Sequence, residues 1–235
     1  MEIKPKMQFI NATRELINQS QQPESVTISS VRITTHPDVF NPSTFFSSKW
    51  FADQLSHLIH KESIFIEVGS GTGIVSIKCA LSNPKLQIYA TDISQKAAEL
   101  TRANATKNGV SGRVVSYSGN VLDALPERIK ADSIFWAMPF GYVEPNYTLV
   151  GREAQVFDPG YVAIRKFFTD AVKYLKKKGR LIIGFSSDIG HYELLEKFAT
   201  ENGYSLKLLK RITGQEKSNV SMELHEARLI NNSLY

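Results

Sequence analysis

The chain has 235 residues, of which 42% are hydrophobic and 22% are charged. These proportions are ordinary for globular proteins and exclude general disorder, while the length suits one α/β domain with an appendage rather than two full-sized domains. The formal net charge of +5 is a modest excess, which allows an anionic partner without requiring one.

The only cysteine, Cys79, lies in an apolar stretch, so a buried structural thiol is expected and no internal disulfide can form. The first residues lack the apolar core of a signal peptide, and no apolar run approaches the roughly 20 residues needed to span a bilayer. We therefore expect a cytoplasmic protein with no membrane partner.

Residues 1–44 are interpreted as an N-terminal extension, and residues 45–235 as the main domain. Within the extension, residues 11–20 predict a short helix, and the alternation over residues 26–33 predicts a strand. A helix with one apolar face is expected over residues 47–60, where it would join the extension to the core.

From residue 63 onward, apolar runs typical of strands alternate with helical periodicity, which favours a parallel sheet with helices on both faces. A short polar loop separates the last two strands and leaves no room for a helix, so they are expected to form an antiparallel hairpin. The predicted strands cover residues 64–69, 86–92, 113–118, 133–139, 180–186, 204–209 and 220–229, and the helices cover 72–81, 94–108, 121–129, 161–178 and 192–202.

A glycine-rich turn follows the first core strand and opens a helix, and it is the strongest functional signal in the sequence. Glycine tolerates positive φ and lets a ligand approach the backbone beside the free N–H groups of a helix start. The alternative interpretation is an ordinary tight turn. The residues of this segment are Glu67, Val68, Gly69, Ser70, Gly71, Thr72 and Gly73.

Asp92 closes the next strand at about the spacing from the glycines where a carboxylate would reach ribose hydroxyls. The alternative for Asp92 is a helix cap or a surface aspartate. Ile93 would then offer an apolar wall to an adenine face. Because position 74 is Ile74, the dinucleotide fingerprint is incomplete. Glu67 would repel phosphates and attract a positive group, which favours S-adenosylmethionine.

These motifs resemble the class I S-adenosylmethionine-dependent methyltransferases. The resemblance implies a Rossmann-like sheet of seven mostly parallel strands, with the last strand antiparallel. It also implies that the turn from Glu67 to Gly73 holds the methionine part of S-adenosylmethionine and that Asp92 holds its ribose. Asn120 replaces the usual acid near adenine, beside Val121, and its amide oxygen is able to accept the same hydrogen bond.

More narrowly, the chain resembles the branch of release-factor glutamine methyltransferases and small-domain RNA or DNA amine methyltransferases. That branch carries Asn-Pro-Pro-Tyr or Asn-Pro-Pro-Phe after the fourth strand, where this chain has Ala137, Met138, Pro139 and Phe140. Alanine offers no side-chain acceptor for a substrate amide or amine. We expect Ala137 to border the cofactor, and Pro139 and Phe140 to lie at the reaction site.

Residues 141–160 form a long connection without clear secondary structure, which predicts a lid over the substrate. Tyr142, Glu144 and His36 are candidates for substrate contacts or a proton acceptor, and the alternative for each is a solvated loop side chain. Lysines clustered over residues 173–180 would attract nucleic acid. Their expected place, at the edge of the sheet opposite the glycine turn, argues against that role.

The sequence thus predicts an S-adenosylmethionine-dependent methyltransferase that acts on a nitrogen, oxygen or carbon nucleophile of a small molecule. Methylation of a protein glutamine or an RNA amine is the first alternative, and a non-catalytic S-adenosylmethionine-binding protein is the second. No metal site is expected, because the five histidines are scattered. The oligomeric state stays open.

Overall fold

A computed structural model describes residues 24–213 and 220–230, together with residues 6, 10–12 and 14–15. The α-helices among residues 24–213 and 220–230 are α1 (Phe46–Leu58), α2 (Ile74–Ser82), α3 (Gln95–Lys107), α4 (Val162–Ala171) and α5 (Tyr192–Glu201). The strands there are β1 (Ser25–Ile28), β2 (Val31–Thr34), β3 (Ile64–Val68), β4 (Gln87–Asp92), β5 (Val114–Ser118), β6 (Ala131–Ala137), β7 (Gly141–Val143), β8 (Phe157–Pro159), β9 (Leu175–Phe185), β10 (Tyr204–Ile212) and β11 (Met222–Leu229).

Seven strands form the central sheet in the order β10-β11-β9-β6-β3-β4-β5. Strand β11 runs antiparallel to both of its neighbours, and the other neighbouring strands are parallel. This arrangement confirms the predicted fold class and the terminal hairpin, whose connecting residues 214–219 lie outside the described residues. The strand order reverses beside β3, so the carboxyl ends of β3, β4 and β6 border the crevice where open α/β sheets bind ligands.

Helices cover both faces of the sheet. On one face Phe167 of α4 and Phe198 of α5 pack against a buried cluster that includes Trp136 of β6. On the other face Phe51 of α1 and Ile77 of α2 belong to a second cluster. The apolar residues of the strands are therefore covered from both sides, as their nearly continuous hydrophobic runs require.

Two helix predictions are wrong in part. Residues 121–129 form successive turns, because Pro126 has no N–H to continue a helix. The helix expected over 161–178 ends at Ala171 and is followed by a 3-10 turn, Val172–Tyr174. Strand β9 begins at Leu175, so the lysines at 176–178 lie in a strand, not at a helix end as predicted. They are at its amino end, away from the crevice, as expected.

The strand predicted over residues 26–33 is a hairpin of two strands, β1 and β2. Ser29 and Ser30 form its turn with φ of 51° and 66°. A turn of two residues preserves the alternation of apolar and polar positions, so periodicity alone does not reveal it. In the helix predicted over residues 11–20, residues 11–12 and 14–15 are helical, and the others lie outside the described residues.

Two side-chain amides, one within α3 and one directly after it, attach this hairpin to the core. The amide oxygen of Asn104 accepts the N–H of Thr34 at 2.8 Å, and its NH₂ group donates to the Thr34 carbonyl at 3.0 Å. Asn108 makes the same pair of bonds with the backbone of Arg32. The two asparagines thus take the place of a neighbouring strand along β2.

Candidate active site

A cavity of about 770 Å³ opens at the carboxyl edge of the parallel strands. Its floor consists of the ends of β3, β4 and β6, and its walls come from residues 38–48 and from residues 149–159. The volume lies within the usual range for small-ligand sites. Twelve of the thirteen predicted site residues other than Tyr142 and Glu144 line the cavity, and Gly73 is the exception. The twelve are Glu67, Gly69, Ser70, Gly71, Thr72, Asp92, Ile93, Asn120, Val121, Ala137, Pro139 and Phe140. Met138 of the same motif also lines the cavity.

The glycine turn has the backbone conformation that its sequence predicts. Gly69, Gly71 and Gly73 have φ of 66°, 55° and 83°. A Cβ on Gly69 would meet the Trp136 indole nitrogen at 3.0 Å, and one on Gly73 would meet the Cα of Thr101 at 3.2 Å. Both the backbone angles and the available space therefore require glycine at these two positions.

Glu67 is a buried carboxyl group at the carboxyl end of β3. Its Oε2 accepts hydrogen bonds from the backbone N–H and the hydroxyl of Ser76 on α2. Burial raises the pKa of Glu67 to about 8, because desolvation outweighs those two bonds. A positive group entering the cavity would favour the ionised form, so the site suits a cation better than a phosphate.

Asp92 connects the glycine turn to the next helix. Its Oδ2 accepts the N–H of Gly71 at 2.9 Å, and its Oδ1 accepts the N–H of Ser94 at 2.9 Å. A carboxylate has about four acceptor positions, so some remain for hydroxyls of a ligand. Burial raises the pKa of Asp92 despite these bonds. The neighbouring Ile93 is 72% exposed and presents an apolar side chain at the cavity wall.

Asn120 and Val121 form the adjacent wall. The Thr91 hydroxyl donates to the Val121 carbonyl at 2.6 Å and fixes this loop to the end of β4. Val121 has φ of 54°, an unusual value for a β-branched residue. Such strained backbone is often found where a ligand binds.

The motif after β6 forms the centre of the cavity. Ala137 ends the strand, and the N–H of Met138 donates to the Gly184 carbonyl of β9 at 3.1 Å. The Phe140 carbonyl accepts a hydrogen bond from the Tyr161 hydroxyl, which also accepts the N–H of His191 at 3.0 Å. Tyr161 therefore fixes the segment after β6 against the loop that precedes α5.

None of the three predicted substrate residues lines this cavity, and the description of residues 141–160 as lacking secondary structure is wrong. Strand β7 pairs with β8, so Tyr142 lies in a strand. Its ring packs 5.3 Å from the rings of Tyr161 and His191 and is buried. Glu144 is exposed, and neither it nor His36 lines the cavity.

Asp158 is the acidic residue that sequence reasoning passed over within this insertion. It belongs to β8, lines the cavity and is only 4% exposed. An acid directly before Pro159 and Gly160, at the start of a predicted helix, was the available signal. Phe40 and Phe45 also line the cavity and stack with ring centroids 5.3 Å apart.

The charges around the cavity are of one sign. Among the described residues that line it, the ionisable side chains are the carboxyl groups of Asp38, Glu67, Asp92 and Asp158, with no lysine, arginine or histidine. The described part of the chain also shows no cluster of three metal-ligating side chains. Within the same residues, no helix is long and apolar enough to cross a membrane.

The sheet order, the reversed strand β11 and the glycine turn define a Rossmann-like fold of the methyltransferase type. Among solved structures, the precorrin-6y C5,15-methyltransferase of Geobacter metallireducens superposes with a TM-score of 0.55 at 15% identity, covering 88% of this chain and 99% of that one. The model of the "Methyltransferase small domain" family matches residues 30–204, so the chain belongs to that family.

A curated relative is the release factor glutamine methyltransferase of Aquifex aeolicus, which is 32% identical over 149 residues. The match covers 58% of this chain and 52% of the relative. The corresponding enzyme of Rhodopirellula baltica is 26% identical over 163 residues, with 65% of this chain and 54% of the relative covered. The chain thus spans about half the length of these relatives.

Proposed function

We propose that the chain binds S-adenosylmethionine in the cavity and transfers its methyl group to a small-molecule acceptor. Membership of the family supports a methyl donor of this kind. The observation that carries the proposal is the combination of a buried Glu67, a glycine turn and Asp92 along one wall. S-adenosylmethionine has an ammonium group, a sulfonium centre and a ribose diol, which match these groups in charge and hydrogen bonding.

In this proposal each wall of the cavity holds one part of the donor. Glu67 and the turn from Gly69 to Gly73 hold the methionine part, and Asp92 accepts hydrogen bonds from the ribose hydroxyls. Ile93 and Val121 enclose the adenine, whose amino group donates to the Asn120 side-chain oxygen. When bound, the donor supplies a methyl group that is already activated.

The protein's own contribution is then positioning and exclusion of water, since methyl transfer depends on a near-attack arrangement of acceptor and methyl carbon. Met138 and Phe140 lie where β6 ends, and the stacked rings of Phe40 and Phe45 also belong to the lining. These apolar walls favour a dry reaction site.

The charge of the cavity favours a small molecule over a nucleic acid. Nucleic-acid binding depends on lysine and arginine side chains that neutralise phosphates. The described residues lining this cavity include only acidic ionisable groups. Lys176 lies at the amino end of β9 and already forms a salt bridge with Asp132 at 2.7 Å.

A protein glutamine is the second candidate acceptor, favoured by the relative from Aquifex aeolicus. Ala137 argues against it, because its side chain cannot accept a hydrogen bond from a substrate amide, and a buried unpaired amide costs about 1–3 kcal/mol. A binding protein without catalytic activity is the third candidate.

Calorimetry with S-adenosylmethionine tests the premise that these candidates share. Binding by the wild-type protein and weaker binding by Asp92→Ala are expected, whereas no binding by either would refute all three. Tritiated methyl donor is then incubated with separate fractions of metabolites, RNA and protein. Label in the metabolite fraction supports the proposal, label in a protein glutamine supports the second candidate, and label in none supports the third.

A further inference from the structure

The part of the cavity beyond the donor site is an apolar chamber with one buried charge. Its walls include Phe40, Phe45, Met138, Phe140 and Phe157, and we call this region the acceptor chamber. Phe40 and Phe45 stack on each other with an interplanar angle of 14°, so they line the chamber as one aromatic pair. A lining with four phenylalanine rings favours an aromatic ligand, which packs against such rings edge to face or offset.

Asp158 is the buried acidic group of this chamber. The other carboxyl group outside the donor site, Asp38, has a side chain that is 80% exposed. The Asp158 carboxylate accepts backbone N–H groups at the start of α4, from Ala163 at 3.2 Å and from Ile164 at 2.9 Å, and it is also within reach of Val162. Since a carboxylate has about four acceptor positions, one remains for a ligand.

The backbone bonds also fix where the carboxylate lies. Strand β8 pairs with β7, which directly follows Phe140, and Asp158 pairs in register with Tyr142. The Phe140 carbonyl is in turn bound by the Tyr161 hydroxyl. These contacts connect Asp158 to the segment that follows β6. Asp158 therefore offers a polar side chain near the motif in which Ala137 has none.

We propose that the acceptor is a planar aromatic amine, and that Asp158 binds its N–H group and takes up the proton released by methylation. This inference rests on the proposed methyl transfer. The nitrogen lone pair forms the new N–C bond while the bond between methyl carbon and sulfur breaks, and its electron pair stays on sulfur. The positive charge passes to nitrogen, whose proton moves to the Asp158 carboxylate and then to water.

The protonation behaviour of Asp158 agrees with this role. Burial raises the pKa of Asp158 to about 6 in spite of its backbone hydrogen bonds, so the carboxylate holds a proton more readily than an ordinary aspartate. The neighbouring titratable groups are the phenols of Tyr142 and Tyr161. Burial raises the pKa of both phenols, so neither loses its proton between pH 5 and 9.

A panel of aromatic amines tests the inference with tritiated S-adenosylmethionine. The probes are 5-aminoindole, 3-aminoquinoline and 4-aminoquinoline, each beside an analogue that lacks the amine, with the peptide Gly-Gly-Gln and an RNA oligonucleotide for comparison. Label is expected in at least one amine and in none of the other compounds. Donor binding by calorimetry without methylation or binding of any amine would overturn the inference while leaving the donor site intact.

Asp158→Asn is the decisive variant, because its amide oxygen still accepts a helix N–H but does not take up a proton. We expect kcat for the labelled amine to fall about 100-fold or more at pH 8, with the Kd of the donor unchanged. The fall in wild-type kcat below about pH 6 should disappear in the variant. An unchanged kcat and pH profile would refute proton uptake by Asp158 and would show that this residue only caps α4.

Asp132→Asn provides the matched control. The Asp132 carboxylate also accepts two backbone N–H groups, from Ser63 at 3.0 Å and Ile64 at 2.9 Å, but lies at the amino end of β6, away from the cavity. We expect this variant to lose stability without a change in kcat or its pH profile. Equal losses of kcat in both variants would refute a specific role for Asp158.

Discussion

The carboxylate of Asp92 accepts the backbone N–H of Gly71 at 2.9 Å and so connects the end of β4 to the glycine turn after β3. Asp92 ends β4, and Gly71 lies in the turn after β3, the neighbouring parallel strand whose carboxyl end meets that of β4 at the cavity. One side chain therefore holds the turn in place and, in the proposed function, also binds the ribose.

Replacement of Asp92 by alanine should weaken donor binding. The N–H of Gly71 loses its partner and the ribose hydroxyls lose theirs, and a hydrogen bond to a charged group contributes about 1.5–3 kcal/mol. We expect the Kd for S-adenosylmethionine to rise about 10- to 100-fold in calorimetry. Glu99→Ala, an exposed carboxylate on α3, is the control, and an equal effect in both variants would contradict the assignment.

Gly73→Ala should destabilise the protein more than Gly109→Ala. Both glycines have positive φ, 83° and 71°, so both variants incur the backbone cost of about 1–2 kcal/mol. An added Cβ at position 73 also meets Thr101 at 3.0 Å, whereas none of the surrounding atoms lies within 4 Å of a Cβ at 109. Urea unfolding measures the difference in unfolding free energy between the two variants. Equal losses of unfolding free energy would show that the turn at Gly73 shifts to accommodate the added Cβ.

Glu67 should make the free protein less stable as the pH rises from 5 to 8. The folded group keeps its proton up to a pKa of about 8, while the unfolded chain releases it near 4.5. The unfolded state thus binds fewer protons than the folded state in this range. The contribution of Glu67 to stability is therefore complete below pH 4.5 and is lost as the pH rises through about 8.

The comparison with Glu67→Gln isolates this effect. Glutamine does not titrate, so the difference in unfolding free energy between the two proteins should change by at most about 1.4 kcal/mol per pH unit. Urea unfolding at pH 5, 6, 7 and 8 gives the slope. A difference that is constant over this range would contradict the raised pKa.

Replacement of Arg14 should weaken binding of the methyl acceptor but not binding of the methyl donor. Its Nε forms a salt bridge with Glu153 at 2.7 Å, and its guanidinium lies 5.2 Å from the Tyr147 ring and 5.4 Å from the Phe157 ring. These contacts join the N-terminal extension to the insertion that forms one cavity wall. Arg14→Ala should raise KM for the labelled acceptor and leave the Kd of S-adenosylmethionine unchanged.

Lys49→Ala serves as the control for Arg14, because Lys49 forms an exposed ion pair with Asp53 within α1. Such a pair contributes little to stability. A change in donor affinity in Arg14→Ala would contradict an effect confined to the acceptor. The same KM for the acceptor in both variants would show that the contacts of Arg14 do not affect acceptor binding.

The sequence predicted the sheet and the donor wall because both depend on local patterns. Apolar runs that alternate with helices fix a parallel sheet, and the spacing from Gly69 to Asp92 places them at neighbouring strand ends. The helix at 94–108 was also recognisable, since the Ser94 hydroxyl accepts the N–H of Ala97 and Gly109 ends the helix with positive φ.

The substrate side was not predictable in the same way. Strands β7 and β8 have three residues each, too few to show alternation, and their pairing joins distant positions. Tyr142 therefore looked available although its ring is buried, and Asp158 looked like a loop residue. Phe40 and Phe45 form one stacked surface only after the chain turns between them.

Asn104 in α3 and Asn108 directly after it hold one end of a segment that borders the cavity. Because Asn104 and Asn108 hold β2 at one end and α1 is packed on the sheet at the other, residues 35–45 form a strap fixed at both ends. Asp38, Val39, Phe40, Pro42 and Phe45 of this strap line the cavity, so a ligand bound there lies against a segment whose two ends are held by the core.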